Sequence, residues 1–201
     1  RSNLLSSIKR SVLTAFYTHA PVIGALAETM KDAGVEIRSV LDPSAGIGKF
    51  GDCLRSVYRD VTVTAFEKDL LTGKILRALN PQDEVVIDGF ETIGKEKQGQ
   101  YDVVTSNIPF GDIKVFDPSF GDSGNEARRS SLSTIHNYFF LKALDQVREG
   151  GFVAFITSRG FMDSPSNNVI REELTENARL VGAFRLPDGM FRDEAGTDVG
   201  S

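Results

Sequence analysis

Cysteine is almost missing from this 201-residue chain, which contains only Cys53. One cysteine excludes an internal disulfide and a cysteine-based zinc site, and it favours a reducing compartment. The sequence also lacks an apolar run long enough to cross a bilayer, and its first residues do not form a basic-then-apolar leader. We therefore expect a cytoplasmic protein without membrane contact.

The chain also has no excess of positive charge. Its 23 basic and 28 acidic residues give a net charge of −5. A protein that grips nucleic acid through phosphates usually presents a basic face. The composition therefore leaves two interpretations for nucleic-acid binding: the chain has only a local basic patch, or it is one part of a larger protein whose other parts bind the phosphates. We favour the second.

Short β-branched runs alternate with amphipathic stretches along the chain, which predicts a doubly wound α/β sheet with mostly parallel strands. The predicted strands are 38–41, 61–66, 85–87, 101–105, 152–157 and 180–186. The predicted helices are 4–15, 21–33, 48–58, 70–79, 135–147 and 169–175. We expect one catalytic domain over 1–201, with N-terminal helices in 1–34 and the sheet core in 35–201. We also expect it to be part of a larger protein.

A glycine-rich turn follows the first strand and contains Asp42, Pro43, Ser44, Gly46 and Gly48. Glycines let the backbone turn sharply close to a ligand, and N–H groups at the start of the next helix can bind a carboxylate. The Asp42 carboxylate can pair with a ligand ammonium group. The turn matches neither the dinucleotide nor the phosphate-binding glycine pattern. An ordinary βα turn is the alternative.

Glu67 directly follows the second strand, about twenty residues after the glycine turn. A carboxylate at this place can accept hydrogen bonds from the ribose hydroxyls of an adenosine-containing cofactor. A solvated glutamate at a helix start is the alternative. Together the two features indicate adenosine with an amino-acid tail.

The fourth strand ends in Asn107, Ile108, Pro109 and Phe110. These residues resemble the Asn/Asp-Pro-Pro-aromatic motif of amino-group methyltransferases. The resemblance implies that the Asn107 side chain and the Ile108 carbonyl accept hydrogen bonds from a target NH₂ while Phe110 stacks on a flipped base. Ile108 stands where the family usually has proline, so the Pro-Pro stiffness is lost. A plain Asn-x-Pro turn with a core phenylalanine is the alternative.

Two further segments resemble the same enzymes. One is similar to the Phe-Tyr-Thr segment of type I modification subunits, and the other lies where the family contacts the cofactor adenine. Their residues are Phe16, Tyr17, Thr18, Asp88, Gly89 and Phe90. For Phe90 a core side chain is the alternative. The motif order is that of gamma-group N6-adenine DNA methyltransferases, including the methylase domains of large phage and mobile-element methylase–helicase proteins.

This resemblance implies S-adenosylmethionine as cofactor, DNA with a flipped adenine as substrate, and further domains or subunits that read the target sequence. It implies a Rossmann-like sheet and no metal, and we expect the last antiparallel strand of that sheet to be missing here. Two alternatives stay open: methylation of a protein glutamine or an RNA base amine, and a domain that binds cofactor or partners without turnover. Residues 111–134 show no periodicity, and Arg128 and Arg129 within them are candidates for phosphate contact or for plain solvation.

Overall fold

A computed structural model describes residues 20–187 of the chain. Five strands form one sheet; they are β1 (Ser39–Asp42), β2 (Thr62–Phe66), β3 (Glu84–Val86), β4 (Tyr101–Asn107) and β5 (Val147–Ile156). The helices are α1 (Ala20–Asp32), α2 (Lys49–Val57), α3 (Leu70–Leu79), α4 (Pro118–Gly121), α5 (Glu126–Ser131), α6 (Ile135–Gln146), α7 (Gly160–Asp163) and α8 (Asn168–Asn177). Short 3₁₀ turns lie at Phe90–Thr92, Lys95–Lys97 and Pro165–Asn167.

The five strands are parallel and lie in the order β3-β2-β1-β4-β5. The chain first builds the sheet outward from β1 through β2 to β3, and then returns to add β4 on the other side of β1. The switch in strand order therefore falls between β1 and β4, where ligands bind in sheets of this type. The predicted doubly wound fold is confirmed.

Two apolar clusters make up the core. One contains Val40, Val63 and Leu76 and joins α1, α2 and α3 to the sheet. The other contains Val104 and Tyr138 and joins α6 to the sheet. Because parallel strands are covered by helices, β1 and β4 are buried along nearly their whole length rather than on alternate residues.

The segment 111–134 is more regular than its sequence predicted. It contains α4 and α5, and each short helix begins at a side chain that accepts a backbone hydrogen bond. The Asp117 side chain accepts from Ser119 N, and the Asn125 side chain accepts from Arg128 N. Helices this short carry too few residues for a periodic pattern, so local capping sets their positions.

The predicted strand at 180–186 is wrong, since the structure has no strand there. Among residues 20–187, β5 pairs only with β4. A strand needs a hydrogen-bonded neighbour, and this segment has none within the described part. Its apolar side chains are exposed, with Phe184 at 89% and Leu180 at 65%.

No helix within 20–187 has the length and apolar character needed to cross a membrane.

Candidate active site

The glycine-rich turn lies at the carboxyl end of β1 and is held by the neighbouring strand β2. Ala45 N donates to Phe66 O at 2.9 Å, and Gly46 N donates to Glu67 Oε2 at 2.9 Å. Gly46 and Gly48 have φ values of +56° and +93°, in the left-handed region that favours glycine. The two glycines therefore permit a tight turn directly before α2, while Pro43 is buried and Ser44 is half-buried.

Asp42 is the last residue of β1 and is buried. Its Oδ1 accepts from Ser106 Oγ at 2.7 Å and from Ser44 N at 3.2 Å. Its Oδ2 is buried and has no hydrogen-bond partner among the described residues. Burial raises the pKa of Asp42 to about 7, even though the bonds from Ser106 and Ser44 oppose the rise. A bound cation beside this carboxyl would offset the cost of its ionisation.

Glu67 has a larger structural role than the sequence predicted. Its Oε1 accepts a hydrogen bond from Asp69 N at 2.8 Å, and its Oε2 accepts the hydrogen bond from Gly46 N. The side chain therefore ties the glycine turn to the start of α3. Burial raises the pKa of Glu67, and the bonds from Asp69 and Gly46 partly oppose that rise. Each carboxylate oxygen has a second lone pair, so both can still accept from a ligand hydroxyl.

The motif of Asn107, Ile108, Pro109 and Phe110 begins at the carboxyl end of β4. Asn107 is half-buried and lies opposite Ile156 in the parallel pairing of β4 with β5. Ile108 N donates to Ile156 O at 3.0 Å, and the Ile108 side chain is buried in the core. The chain then leaves the sheet, and the Phe110 side chain is 42% exposed. An exposed aromatic ring beside a fixed strand end is suited to stacking on a planar ligand.

Ser106 joins the turn to this motif, a role that the sequence reasoning missed. Its buried hydroxyl donates to Asp42 Oδ1 at 2.7 Å and also lies 3.2 Å from Ser44 O. Asn107 is the next residue in β4. The predicted cofactor side and the predicted target side are thus adjacent across the β1–β4 switch point. A serine directly before Asn107, after the apolar pair Val103-Val104, was the available signal.

The three predicted cofactor contacts shortly after β3, at positions 88–90, differ in their exposure and surroundings. Asp88 is exposed, with its Oδ1 accepting from its neighbour Gly89 N at 2.8 Å, and Gly89 is buried. Phe90 is 1% exposed and packs at 5.2 Å from the Phe139 ring and edge-on to Phe66. Its ring belongs to the core, so we leave it out of the proposed cofactor contacts. The predicted contacts Phe16, Tyr17 and Thr18 lie outside the described residues.

A buried polar cluster fixes the segment that follows Phe110. Asp117 Oδ2 accepts from Tyr138 Oη at 2.7 Å and from Lys142 Nζ at 2.9 Å, and Asp117 Oδ1 accepts from Ser119 Oγ at 2.6 Å. Burial alone would raise the pKa of Asp117, but the bonds from Ser119, Lys142 and Tyr138 lower it to about 2. Residues distant in sequence build this cluster, so spacing gave no signal for it.

Arg128 serves the same segment, because its guanidinium makes two bonds to the Asp145 carboxylate, at 2.8 and 2.5 Å, and covers the Phe120 ring. Arg129 donates to Ser123 O. Arg128 is thus committed to holding α5 against α6. Neither of the two predicted roles for Arg128, phosphate contact and plain solvation, included this contact with Asp145.

Solved structures of other proteins share the fold of this chain. A structure from Listeria monocytogenes, described as a putative class I S-adenosylmethionine-dependent methyltransferase, has a TM-score of 0.64 and 17% identity, covering 78% of this chain and 50% of that one. An S-adenosylmethionine-dependent O-methyltransferase from Thermotoga maritima has a TM-score of 0.50 and 12% identity, covering 79% and 50%. The chain has the fold of these methyltransferases.

Residues 56–189 match the family model described as Eco57I restriction-modification methylase, and the chain belongs to that family. It is 30% identical over 191 residues to the Defense against restriction protein B of Escherichia phage P1, covering 93% of this chain and 8% of that protein. It is 20% identical to the type II methyltransferase M.AccI of Acinetobacter calcoaceticus, covering 89% of this chain and 34% of that enzyme. The predicted resemblance to modification methylases and phage proteins is confirmed, and the chain spans only part of the length of these relatives.

Proposed function

We propose that this chain is a catalytic domain that transfers a methyl group from S-adenosylmethionine to the N6 amino group of adenine in DNA. The observation that carries the proposal is the bridge from Ser106 to Asp42 and Ser44, because it sets the Asn107 motif beside the glycine turn. Family membership and fold support a methyltransferase. The choice of adenine rests on the resemblance of the motif from Asn107 to Phe110.

The residues around the turn fit this cofactor. A sulfonium amino acid joined to adenosine brings cationic groups and ribose hydroxyls. The turn presents the buried carboxyl of Asp42 and the half-buried carboxyl of Glu67, each with a raised pKa. A neighbouring positive charge lowers such pKa values and stabilises the ionised forms. The residues proposed to hold the cofactor are Phe16, Tyr17, Thr18, Asp42, Pro43, Ser44, Gly46, Gly48, Glu67, Asp88 and Gly89.

When bound, the cofactor supplies an already activated methyl group. The protein then has to position the acceptor nitrogen and stabilise the charge that develops on it. The Asn107 amide oxygen and the Ile108 carbonyl are the proposed acceptors for the two hydrogens of the target NH₂, which favours a pyramidal nitrogen. Pro109 stiffens the backbone after them, and Phe110 stacks on the base after it leaves the duplex.

The net charge of −5 affects how the substrate is held. Proteins bind duplex DNA mainly through contacts with its phosphates. These contacts also have to offset the cost of base flipping, which is a few kcal/mol. We propose that further domains or subunits supply most of the phosphate contacts and read the target sequence. The relatives' greater length is consistent with this division of labour.

The test is transfer of radiolabelled methyl from S-adenosylmethionine to mixed-sequence DNA by the full-length protein. Label in N6-methyladenine that disappears with Asn107→Ala, and persists with the matched control Asn177→Ala at the exposed end of α8, would support the proposal. Label in another DNA base, or label in RNA or protein glutamine in parallel assays that offer those substrates, would replace the adenine assignment. Cofactor binding without any transfer would favour a non-catalytic domain.

A further inference from the structure

Asn80 contacts the glycine turn from the end of α3. It caps the C-terminal end of α3 and is 3% exposed. Its Nδ2 donates to Ile47 O, inside the turn, at 3.3 Å, and lies 3.4 Å from Leu76 O in its own helix. The amide therefore connects the end of α3 to the backbone directly before Gly48.

The contact between Asn80 and the turn is close-packed. A Cβ atom on Gly48 would lie 2.6 Å from Asn80 Nδ2 and 2.9 Å from Leu76 Cδ1. Gly48 is thus constrained both by its left-handed backbone and by the side chains behind it. Asn80 and Leu76 therefore pack directly against this end of the turn.

The Asn80 amide is itself held by Arg55, and Asp83 in turn holds Arg55. Arg55 Nη2 donates to Asn80 Oδ1 at 3.0 Å, and Arg55 Nη1 donates to Asp83 Oδ1 at 2.8 Å. The Asp83 side chain is buried, and Arg55 is mostly buried. The guanidinium fork thereby fixes which end of the amide faces the turn, because only the Asn80 oxygen can accept from Arg55.

We propose that Asn80 is a positioning residue for the cofactor: it sets the Ile47–Gly48 end of the turn where the amino-acid tail of the ligand binds. The inference rests on the proposed function, in which this turn holds S-adenosylmethionine. An asparagine is suited to this role because one side chain donates to the turn and accepts from Arg55. Aspartate has the same size and can keep the bond to Arg55, but its ionised carboxylate would place a second acceptor against Ile47 O.

The test measures the affinity of Asn80→Asp for two ligands by calorimetry, at a temperature where circular dichroism shows the protein folded. S-adenosylhomocysteine carries the amino-acid tail, and 5′-methylthioadenosine is the corresponding nucleoside without that tail. We expect the substitution to weaken S-adenosylhomocysteine about tenfold to a hundredfold, the size expected for an uncompensated buried polar contact. The affinity for 5′-methylthioadenosine should change by no more than about twofold, since the proposed turn–tail contact is absent there.

The matched control is Asn177→Asp at the end of α8. Asn177 Nδ2 donates to the carbonyl four residues earlier, Glu173 O, as Asn80 does to Leu76 O, but Asn177 is exposed. Its affinity for both ligands should stay unchanged. Equal weakening of both ligands by Asn80→Asp, or no weakening of either, would overturn the positioning role while leaving the proposed function intact.

A second variant guards against misfolding of Asn80→Asp. Arg55→Gln keeps Asn80 but releases its oxygen from the guanidinium, and it should weaken S-adenosylhomocysteine several-fold with the same ligand selectivity. Failure of the unchanged protein to bind S-adenosylhomocysteine at all would overturn the proposed cofactor and the role of Asn80 together.

Discussion

Replacing Asp42 with asparagine should stabilise the ligand-free protein at alkaline pH and weaken cofactor binding. Burial raises the pKa of Asp42 from 3.8 to about 7, so above pH 7 the folded protein carries an ionised, desolvated carboxylate. At 1.36 kcal/mol per pH unit this costs roughly 4 kcal/mol of unfolding free energy. The cost is absent below about pH 4, where both states bind the proton, and it develops as the pH rises toward 7.

Asparagine removes the charge while its oxygen can still accept from Ser106 and Ser44. Its new N–H groups face the position of the unpartnered Oδ2, which costs about 1–3 kcal/mol. The expected net gain at pH 8 is therefore roughly 1–3 kcal/mol, or about 2–4 °C in Tm for each kcal/mol in a domain of this size. At pH 4 the charge cost is absent and only the N–H cost remains, so the variant should be about 1–3 kcal/mol less stable than the unchanged protein.

Thermal unfolding followed by circular dichroism at pH 4 and pH 8 measures this difference. The exposed Asp122→Asn is the matched control and should shift Tm little at either pH. Calorimetry should show at least about tenfold weaker binding of S-adenosylhomocysteine by Asp42→Asn, because the proposed partner of its ammonium group is lost. A variant that is less stable than the unchanged protein at both pH values would refute the assignment of a strained, buried carboxylate.

Three further substitutions test other parts of the structure. Asp117→Asn leaves the buried Lys142 without its counter-charge and should lower the unfolding free energy by about 3–5 kcal/mol in denaturant titrations; a loss below 1 kcal/mol would argue against a tightly paired cluster. In Gly48→Ala, the alanine has to adopt a positive φ and its Cβ crowds Asn80. Chemical unfolding should therefore show an unfolding free energy lower by about 1–3 kcal/mol, and calorimetry should show weaker cofactor binding. Unchanged affinity would contradict the proposed packing of Asn80 against the turn. Phe110→Ala should lower kcat/KM for DNA about tenfold or more through lost stacking, with stability within about 0.5 kcal/mol, whereas Phe110→Tyr should retain activity.

Acid sensitivity is expected from Asp117 as well, and the sign is opposite to that of Asp42. Its pKa in the folded protein is lowered to about 2, so its stabilising contribution is fully present above the unfolded value near 4 and is lost as the pH falls through 2. Unfolding titrations between pH 5 and pH 2 should show a stability loss that is smaller in Asp117→Asn, which has no carboxyl to protonate. Equal losses in both proteins would assign the acid sensitivity to other groups.

The sequence predicted the parts of this fold that depend on local pattern. The strands that carry Asp42 and Asn107 are short apolar runs followed by turn residues, and parallel pairing then brings their carboxyl ends to one edge. The bounds of α3 were predicted without error, because Asp69 caps its start and Asn80-Pro81 ends it. These features follow from neighbouring residues alone.

What the sequence did not predict depends on contacts across the chain. Ser106 acquires its role only when β4 pairs with β1, and Asp117 acquires its role only when α6 packs beneath it. The predicted strand at 180–186 failed for the complementary reason, because β propensity without a paired neighbour does not make a strand. Phe90 had a position typical of a cofactor contact, but three surrounding aromatic rings place it in the core.

The hydroxyl of Ser106 links the two halves of the site through a single side chain, and this affects how substitutions combine. A change at Asp42 alters the hydrogen-bond partner of Ser106, which directly precedes Asn107. Substitutions at Asp42 and Asn107 are therefore energetically coupled. Free-energy effects of substitutions at Asp42 and Asn107 should therefore fail to add, with a coupling of about 0.5–3 kcal/mol in a double-mutant cycle. Under the proposed function, a change at Asp42 that alters cofactor binding should therefore also alter how Asn107 holds the target base.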